Sequence, residues 1–338
     1  MIAQKPPQKQ KEQWQVDLAT SFSSLPAFLD YCEINYDDLS QEYLASKDFR
    51  FFVTKSWASR IVKGKVNDPI LLQVLPQPNE LIQKPGYSLD PLSEQQQSPI
   101  AGLIHKYHGR VLLTLTGQCA IYCRYCFRRN FPYQENQFNR ANWENIISYL
   151  KENTDIYEVI LSGGDPLIMG DNILTKIVSD LAAIPHIKYL RIHSRIPVAL
   201  PSRITTSLIK ILKMTRLLPT IVIHSNHPQE LNNEVCEKLR SIKNANINLL
   251  NQTVMLKNIN DNGKILAELS HKLYQAGAMP YYIHRLDKVA GSSHFYLTPH
   301  QENKIITELL SLLPGYLVPK FVEENPNAKA KTPIPIKF

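Results

Sequence analysis

No stretch of this chain approaches the roughly 18 consecutive apolar residues that a membrane-crossing helix requires. The opening residues, Met1 through Gln13, are rich in Gln, Lys and Pro and hold none of the apolar run of a secretory signal. Cysteine is scarce, 5 in 338 residues, and the odd number argues against a disulfide framework. There is no internal repeat beyond an alternation of element types, and no tract of one charge sign: the formal net charge of +8 is spread along the chain. Dispersed basicity reads as solvated surface, with attraction to an anionic partner such as an RNA or an acidic protein as the other reading. These absences leave a cytoplasmic protein with an unstructured first dozen residues. Its 43% hydrophobic and 20% charged residues suit a substantial soluble core.

What is present is a repeated grammar. From residue 110 on, short apolar runs rich in β-branched residues alternate with polar elbows and stretches of helical apolar spacing. The runs are Val111 to Leu115, Glu158 to Leu161, Tyr189 to Ile192, Thr220 to Ile223, Ile247 to Leu250 and Pro280 to Ile283. Among the helices, Trp143 to Glu152 aligns Trp143, Ile146, Ile147 and Leu150, and Leu266 to Gln275 aligns Leu266, Leu269 and Leu273. Six strand–helix units predict an α/β protein whose parallel sheet curls into a barrel or partial barrel. Chemistry in such barrels collects at the C-terminal ends of the strands, and all six ends are loaded. The first strand runs into a cysteine loop; the next four end in Ser162-Gly163-Gly164-Asp165, His193-Ser194-Arg195, His224-Ser225-Asn226-His227 and Asn251-Gln252. The sixth ends in His284-Arg285-Leu286-Asp287. That is an enzyme pattern.

Three of the five cysteines, Cys119, Cys123 and Cys126, form C-x3-C-x2-C in that first loop. Thiolates in such an array ligate an iron–sulfur cluster or a zinc ion. Zinc motifs usually pair two two-cysteine knuckles, and no second pair exists here. A 4Fe–4S cluster held by three cysteines leaves one iron open to a small molecule, with Tyr125 and Phe127 shielding it from water. Cys32 and Cys236 stand alone in amphipathic stretches and read as buried core thiols.

This loop, with an aromatic residue before its last cysteine, resembles the radical S-adenosylmethionine superfamily. The resemblance implies a partial (β/α)6 TIM-like barrel. The open iron would bind S-adenosylmethionine, and the reduced cluster would cleave it to methionine and a 5′-deoxyadenosyl radical. Ser162, Gly163, Gly164 and Asp165 resemble the segment that meets the methionine amino group, with Asp165 in place of Glu, and Ser194 and Gln252 fall on the same side. Other stretches are similar to the lysine 2,3-aminomutase family: Asn67-Asp68-Pro69, Tyr107 to Arg110, Ser194-Arg195-Ile196-Pro197, Leu250-Asn251-Gln252, His294-Phe295, Gly315-Tyr316 and Lys331-Thr332-Pro333. That likeness implies a Schiff base between Lys331 and pyridoxal phosphate. Lys106, Tyr107 and Arg110 would contact the cofactor, with Arg110 as a forked donor to its phosphate. Arg128 would bind the substrate carboxylate, and Asp287 and Glu324 the distal ammonium, with Glu324 standing where the family pattern has Asp. From composition alone Lys329 and Lys331 read as a solvated basic tail. An attacking lysine must be neutral, and Lys329 would lower its neighbour's pKa or be the reactive residue itself.

The implied reaction converts L-α-lysine to β-lysine with an external reductant such as a flavodoxin or ferredoxin, and no membrane or nucleic-acid partner. One departure matters. The chain stops seven residues after Lys331 and has Asn327-Ala328-Lys329-Ala330 where free-lysine mutases have a glycine run and then a zinc-binding tail. This weighs against zinc and against tail-dependent assembly. The short form resembles mutases whose β-lysine is attached to elongation factor P by a lysyl-transferring enzyme. Open alternatives are a mutase for another amino acid or for free-lysine metabolism, an RNA-modifying radical enzyme, and a zinc-stabilised binding protein. The expected organisation is a flexible 1–15, a mostly helical 16–105 with helices over Leu39 to Leu44 and Phe49 to Val62, a barrel core over 106–315, and a cofactor-binding segment over 316–338.

Overall fold

A computed structural model describes residues 11–35, 49–136, 139–326 and 328–337. Its strands join in chain order into one sheet: β1 Leu103–Tyr107, β2 Arg110–Thr114, β3 Glu158–Ser162, β4 Tyr189–Ser194, β5 Leu218–His224, β6 Asn248–Val254, β7 Met279–His284, β8 Lys320–Glu323 and β9 Thr332–Pro333. Strands β2 through β8 run parallel, and β1 and β9 lie antiparallel at the two edges. Crossovers between the parallel strands are α1 Arg140–Glu152, α2 Asp171–Ala182, α3 Thr206–Lys213, α4 Asn233–Asn244, α5 Gly263–Gln275 and α6 Pro299–Leu312. This is the expected (β/α)6 arrangement. The strands β1, β8 and β9 were not part of the expectation.

Local sequence explains the helices. Asn139, Thr205, Asn232, Asn262 and Thr298 each cap a helix by accepting from a backbone N–H in its first turn. One face of each helix is apolar and packs on the sheet: Trp143, Ile146 and Leu150 on α1, and Leu266, Leu269 and Leu273 on α5. Side chains alternate along the strands. Leu190 and Ile192 of β4 join the helix-facing core, while Arg191 and His193 point the other way, into the lumen. That lumen surface is where polar residues accumulate.

The N-terminal region is helical in short pieces: Gln13–Ala19, Leu25–Cys32, Lys55–Ala58 and Pro69–Leu72. The helix expected over Phe49 to Val62 shrinks to Lys55–Ala58, because Val53 is drawn into extended bridges with Phe22 and Ile121 and Thr54 caps the helix after it. Leu39 to Leu44, and most of the segment expected to be flexible, lie outside the described residues. Trp14, Phe28 and Trp57 share one core with the barrel helices, and Arg203 lies 4.6 Å over the Trp14 ring. Cys32 is buried, as expected; Cys236 is only half-buried, because it lies at the edge of the α4 contact face formed by Val235, Leu239 and Ile242. Among the described residues no helix is long and apolar enough to cross a membrane.

Among the described residues the sheet does not close through hydrogen bonds. Tilt accumulates around a barrel, so the end of β8 arrives beside the β1–β2 hairpin, and side chains cross the seam. Glu324, just past β8, meets Lys106 and Tyr107 of β1. The hairpin is made possible by Gly109, at φ +72°, where a Cβ would lie 2.2 Å from the Tyr157 ring.

Candidate functional site

The cysteine loop begins where β2 ends. Burial pushes the Cys119 thiol well above its ordinary value, helped by Asp165 and the other two cysteines, and burial with Cys123 pushes Cys126 up to about 11. Thiols raised in this way become thiolates only against a cationic group. Tyr125 is buried, its hydroxyl donating to Gln73 at 3.2 Å and accepting from Asn226 at 2.6 Å; Phe127 is half-buried. Arg195 donates from Nη1 to Cys123 Sγ at 2.6 Å, its guanidinium 4.5 Å above Trp57. Among the described residues no three His, Cys, Asp or Glu side chains gather around one point as a mononuclear centre requires. Cysteines of a cluster each hold a different iron, so the donor set present fits a 4Fe–4S cluster.

The turn after β3 lies against this loop backbone to backbone. Gly164 N–H donates to Thr116 O at 2.5 Å, and Asp165 N–H to Gln118 O at 2.8 Å. A Cβ on Gly163, at φ +120°, would stand 2.6 Å from Thr116 O, and one on Gly164 would stand 2.4 Å from Gln118 O. Only glycine permits this approach. The Asp165 carboxylate, in the segment that the resemblance sets on the S-adenosylmethionine side, is engaged within the protein. It accepts from Ser194 Oγ at 2.7 Å and from the N–H groups of Arg195, Ile196 and Leu167 at 2.7, 3.0 and 3.1 Å. Burial raises its pKa to about 6 against the pull of those bonds. Asp165 and Ser194 therefore lock the ends of β3 and β4 together, leaving the backbone of Gly163 and Gly164 facing the loop. Gln252 pairs in register with His224 on β5 and Tyr282 on β7, on the lumen side.

At the seam the side chains converge. Glu324 accepts from Tyr107 Oη at 2.7 Å and Lys106 Nζ at 3.2 Å, and Lys331 Nζ donates to its other oxygen. The β8–β9 pairing causes the last contact: Glu323 faces Thr332, so the next pair outward is Glu324 and Lys331. Burial opposes the Glu324 charge, but Lys331, Tyr107 and Lys106 overcome it and hold the carboxyl well below the carboxylate range. Burial and the Glu324 charge raise the Tyr107 phenol. Arg110 lies 4.8 Å over the Tyr107 ring. Lys106, Tyr107, Arg110 and Lys331 thus form one cationic pocket beside a half-buried tyrosine, Tyr282, whose ring is 5.9 Å from Lys331 Nζ. These donors fit a phosphorylated aromatic aldehyde with a lysine at its reactive carbon.

Two groups flank this pocket. Asp287 sits past β7, its carboxyl raised to about 7 by burial and by Glu324 and Glu94, with Lys331 pulling the other way. Arg128 is buried and already forked onto Glu94, Nε to Oε2 at 2.7 Å and Nη2 to Oε1 at 2.6 Å, while Nη1 donates to Ser162 Oγ at 2.9 Å. Sequence reasoning missed Glu94, which sits in a Pro- and Gln-rich connection with no periodicity to single it out. It also left His193, His224 and His284 without roles, although each lies at or next to the end of a strand. Burial, then nearby cations or one another, keeps all three imidazoles well below the usual histidine pKa.

A family model described as "4Fe-4S single cluster domain" matches residues 108–189, which span the cysteine loop. The chain is 42% identical over 329 residues to an L-lysine 2,3-aminomutase of Escherichia coli (strain K12), covering 97% of this chain and 96% of that protein. It is 44% identical over 332 residues to an L-lysine 2,3-aminomutase of Buchnera aphidicola subsp. Baizongia pistaciae, covering 98% of each. The chain belongs to the L-lysine 2,3-aminomutase family. It is a radical S-adenosylmethionine isomerase with a 4Fe–4S cluster, and family membership brings pyridoxal phosphate as a further cofactor. A longer aminomutase of Clostridium subterminale is 36% identical over 289 residues, 85% of this chain and 69% of that protein. Among solved structures, native anSMEcpe with bound AdoMet aligns with 59% of this chain and 58% of its own at 12% identity and a TM-score of 0.47.

Proposed function

We propose that the seam is where this aminomutase holds lysine while its amino group moves from the α to the β carbon. The observation that supports this reading is the Glu324 carboxylate shared by Lys331, Lys106 and Tyr107. When bound, the cluster and S-adenosylmethionine supply one-electron chemistry that removes and returns a hydrogen atom, and pyridoxal phosphate supplies a conjugated system that spreads an unpaired electron.

The chain's own groups divide the remaining work. Lys331 is the residue proposed to carry pyridoxal phosphate, with Arg110 donating to the phosphate and Lys106 and Tyr107 beside it. Until the cofactor arrives, the Lys331 ammonium occupies Glu324. With Lys331 engaged by the cofactor when the substrate arrives, Glu324 would be open to a second ammonium, the distal one of the substrate, with Asp287 as the other carboxylate; Lys331 would be returned as a neutral amine when the substrate's own amino group takes its place. Two acids at that end favour a cationic amino acid over an acidic one. Arg128 is proposed to hold the substrate carboxylate. The Gly163–Gly164 backbone, Ser162, Ser194 and Gln252 line the S-adenosylmethionine side, where Asp165 positions the turn. Cys119, Cys123 and Cys126 ligate the cluster, with Tyr125 and Phe127 limiting water. The boundaries that suit this division are 1–15, 16–105, 106–315 and 316–338.

The near end-to-end likeness to short aminomutases supports a cytoplasmic enzyme reduced by a flavodoxin or ferredoxin, whose β-lysine goes to elongation factor P. The test is anaerobic. Protein reconstituted with iron, sulfide, pyridoxal phosphate, S-adenosylmethionine and a reductant is expected to turn L-lysine into β-lysine. Cleavage of S-adenosylmethionine with lysine untouched would show the substrate to be wrong. Lys331→Ala is expected to lose the cofactor's Schiff-base absorbance and keep its iron; an unchanged spectrum would move the role to Lys329.

A further inference from the structure

The lumen holds a polar group that the proposed reaction does not yet use. On β4, Arg191 and His193 share the lumen face. Arg191 is spent on Glu158 of β3, Nε to Oε1 at 3.0 Å. His193 has no such partner: its Nε2 is enclosed by protein and makes no hydrogen bond. A buried, unpaired polar atom costs free energy and is retained where a ligand satisfies it. The register says which ligand. Leu161 of β3 pairs with Ile192, so the next residues up, Ser162 and His193, are side by side on the lumen face. Ser162 Oγ is the atom that receives Arg128 Nη1 at 2.9 Å. His193 therefore lies beside the residue that holds the Arg128 guanidinium, and Arg191, Lys331 and Arg128 all lie within its electrostatic reach.

Arg128 alone makes an incomplete carboxylate site. Its charge is already balanced by Glu94, which takes Nε and one Nη2 hydrogen. Of five guanidinium N–H donors, Glu94 takes two and Ser162 one, leaving two. A second carboxylate brought against this neutralised pair needs a further donor, and a neutral imidazole supplies one N–H. We propose that His193 is a substrate-binding residue that donates to the α-carboxylate of the amino acid, completing the subsite begun by Arg128. The inference rests on the reading of Arg128 given above.

The experiment compares L-lysine with cadaverine, which has the same two amines and no carboxylate. Binding of each to the holoenzyme, loaded with cluster and pyridoxal phosphate, is measured by titration calorimetry for wild type, His193→Ala and His193→Gln, alongside cofactor loading by absorbance. His193→Ala is expected to weaken L-lysine about tenfold, the scale of one hydrogen bond to a charged group, and to leave cadaverine unchanged. His193→Gln keeps an N–H donor and is expected to recover part of the loss. Equal weakening of both ligands, or of neither, would overturn the proposal, as would a drop in pyridoxal phosphate loading, which would give the histidine to the cofactor. If wild type binds lysine with this histidine-dependent preference yet yields no β-lysine, the aminomutase reading fails and the carboxylate subsite stands.

Discussion

Replacing Glu324 by Gln tests the seam most directly. The carboxylate is 13% exposed, Lys106 8% and Lys331 25%. Removing one partner from a buried ion pair costs about 3–5 kcal/mol, because the remaining charge is stranded. Lys331 is exposed enough to be partly rescued by water, so the lower figure, about 3 kcal/mol, applies. At roughly 1.4 °C per kcal/mol for a chain of this size, the melting temperature of the cofactor-free protein should fall by about 4 °C. The sign with pH follows from the depressed Glu324 pKa. Stability from a lowered carboxyl is present above its unfolded value and lost only in acid, so the gap should be flat around neutral pH. Pyridoxal phosphate should narrow it, since a Lys331 held by the cofactor would have its charge balanced there and only Lys106 would stay stranded. Thermal melts of both proteins, with and without the cofactor, decide the matter. A variant as stable as wild type in both states, or a gap the cofactor leaves untouched, would refute the claim that this carboxylate closes the seam by charge.

Lysine affinity should depend on pH through Asp287. With its carboxyl raised to about 7 in the ligand-free protein, protons compete with the substrate ammonium; affinity should fall up to about tenfold per pH unit below that value and level off above it. KM measured across this range for wild type and Asp287→Asn checks the point, and a slope surviving in the Asn variant would assign it elsewhere. Gly163→Ala should cost about 1–3 kcal/mol in backbone strain alone and push the cysteine loop away through the contact at Thr116 O, which iron content per chain would register. Cys123→Ala should abolish turnover with the barrel intact, and normal iron with full activity in that variant would remove the cluster assignment.

Much of this was legible because the core imposes it. The six apolar runs of the barrel are rich in β-branched residues and buried on their helix-facing side, so periodicity and burial agree. The cysteine spacing and the paired glycines were equally readable, since each residue type answers a single physical demand. Strands β1, β8 and β9 were not. Lys320–Glu323 and Thr332–Pro333 are too short and too mixed to show a period, and their extended form comes from neighbours contacted across the fold. Glu94 escaped for the same reason: its meaning lies in a fork with Arg128, 34 residues away. Asp165 is the opposite case. Its motif was visible, but whether the carboxylate faces a ligand or caps its own turn depends on Ser194 and the N–H groups beyond it.

An open sheet carries a liability, since edge strands present unpaired backbone groups. Here the two edges are brought together, and the groups that cross the gap are the proposed cofactor- and substrate-binding residues. Lys106 and Tyr107 hang from one edge, Lys331 from the other, and Glu324 from the strand beside it. Closing the gap with hydrogen bonds would have filled it with backbone. Closing it with side chains leaves a seam that, on the proposed reading, would exchange one cation for another: Lys331 in the free protein, the substrate ammonium while that lysine is engaged. Ligands that bind only the folded chain stabilise it by mass action, and in this arrangement they do so at the place where the sheet is weakest. Stability and occupancy should therefore rise together, with cofactor first and lysine second, if the proposed reading holds that Glu324 meets the substrate ammonium while Lys331 is engaged elsewhere.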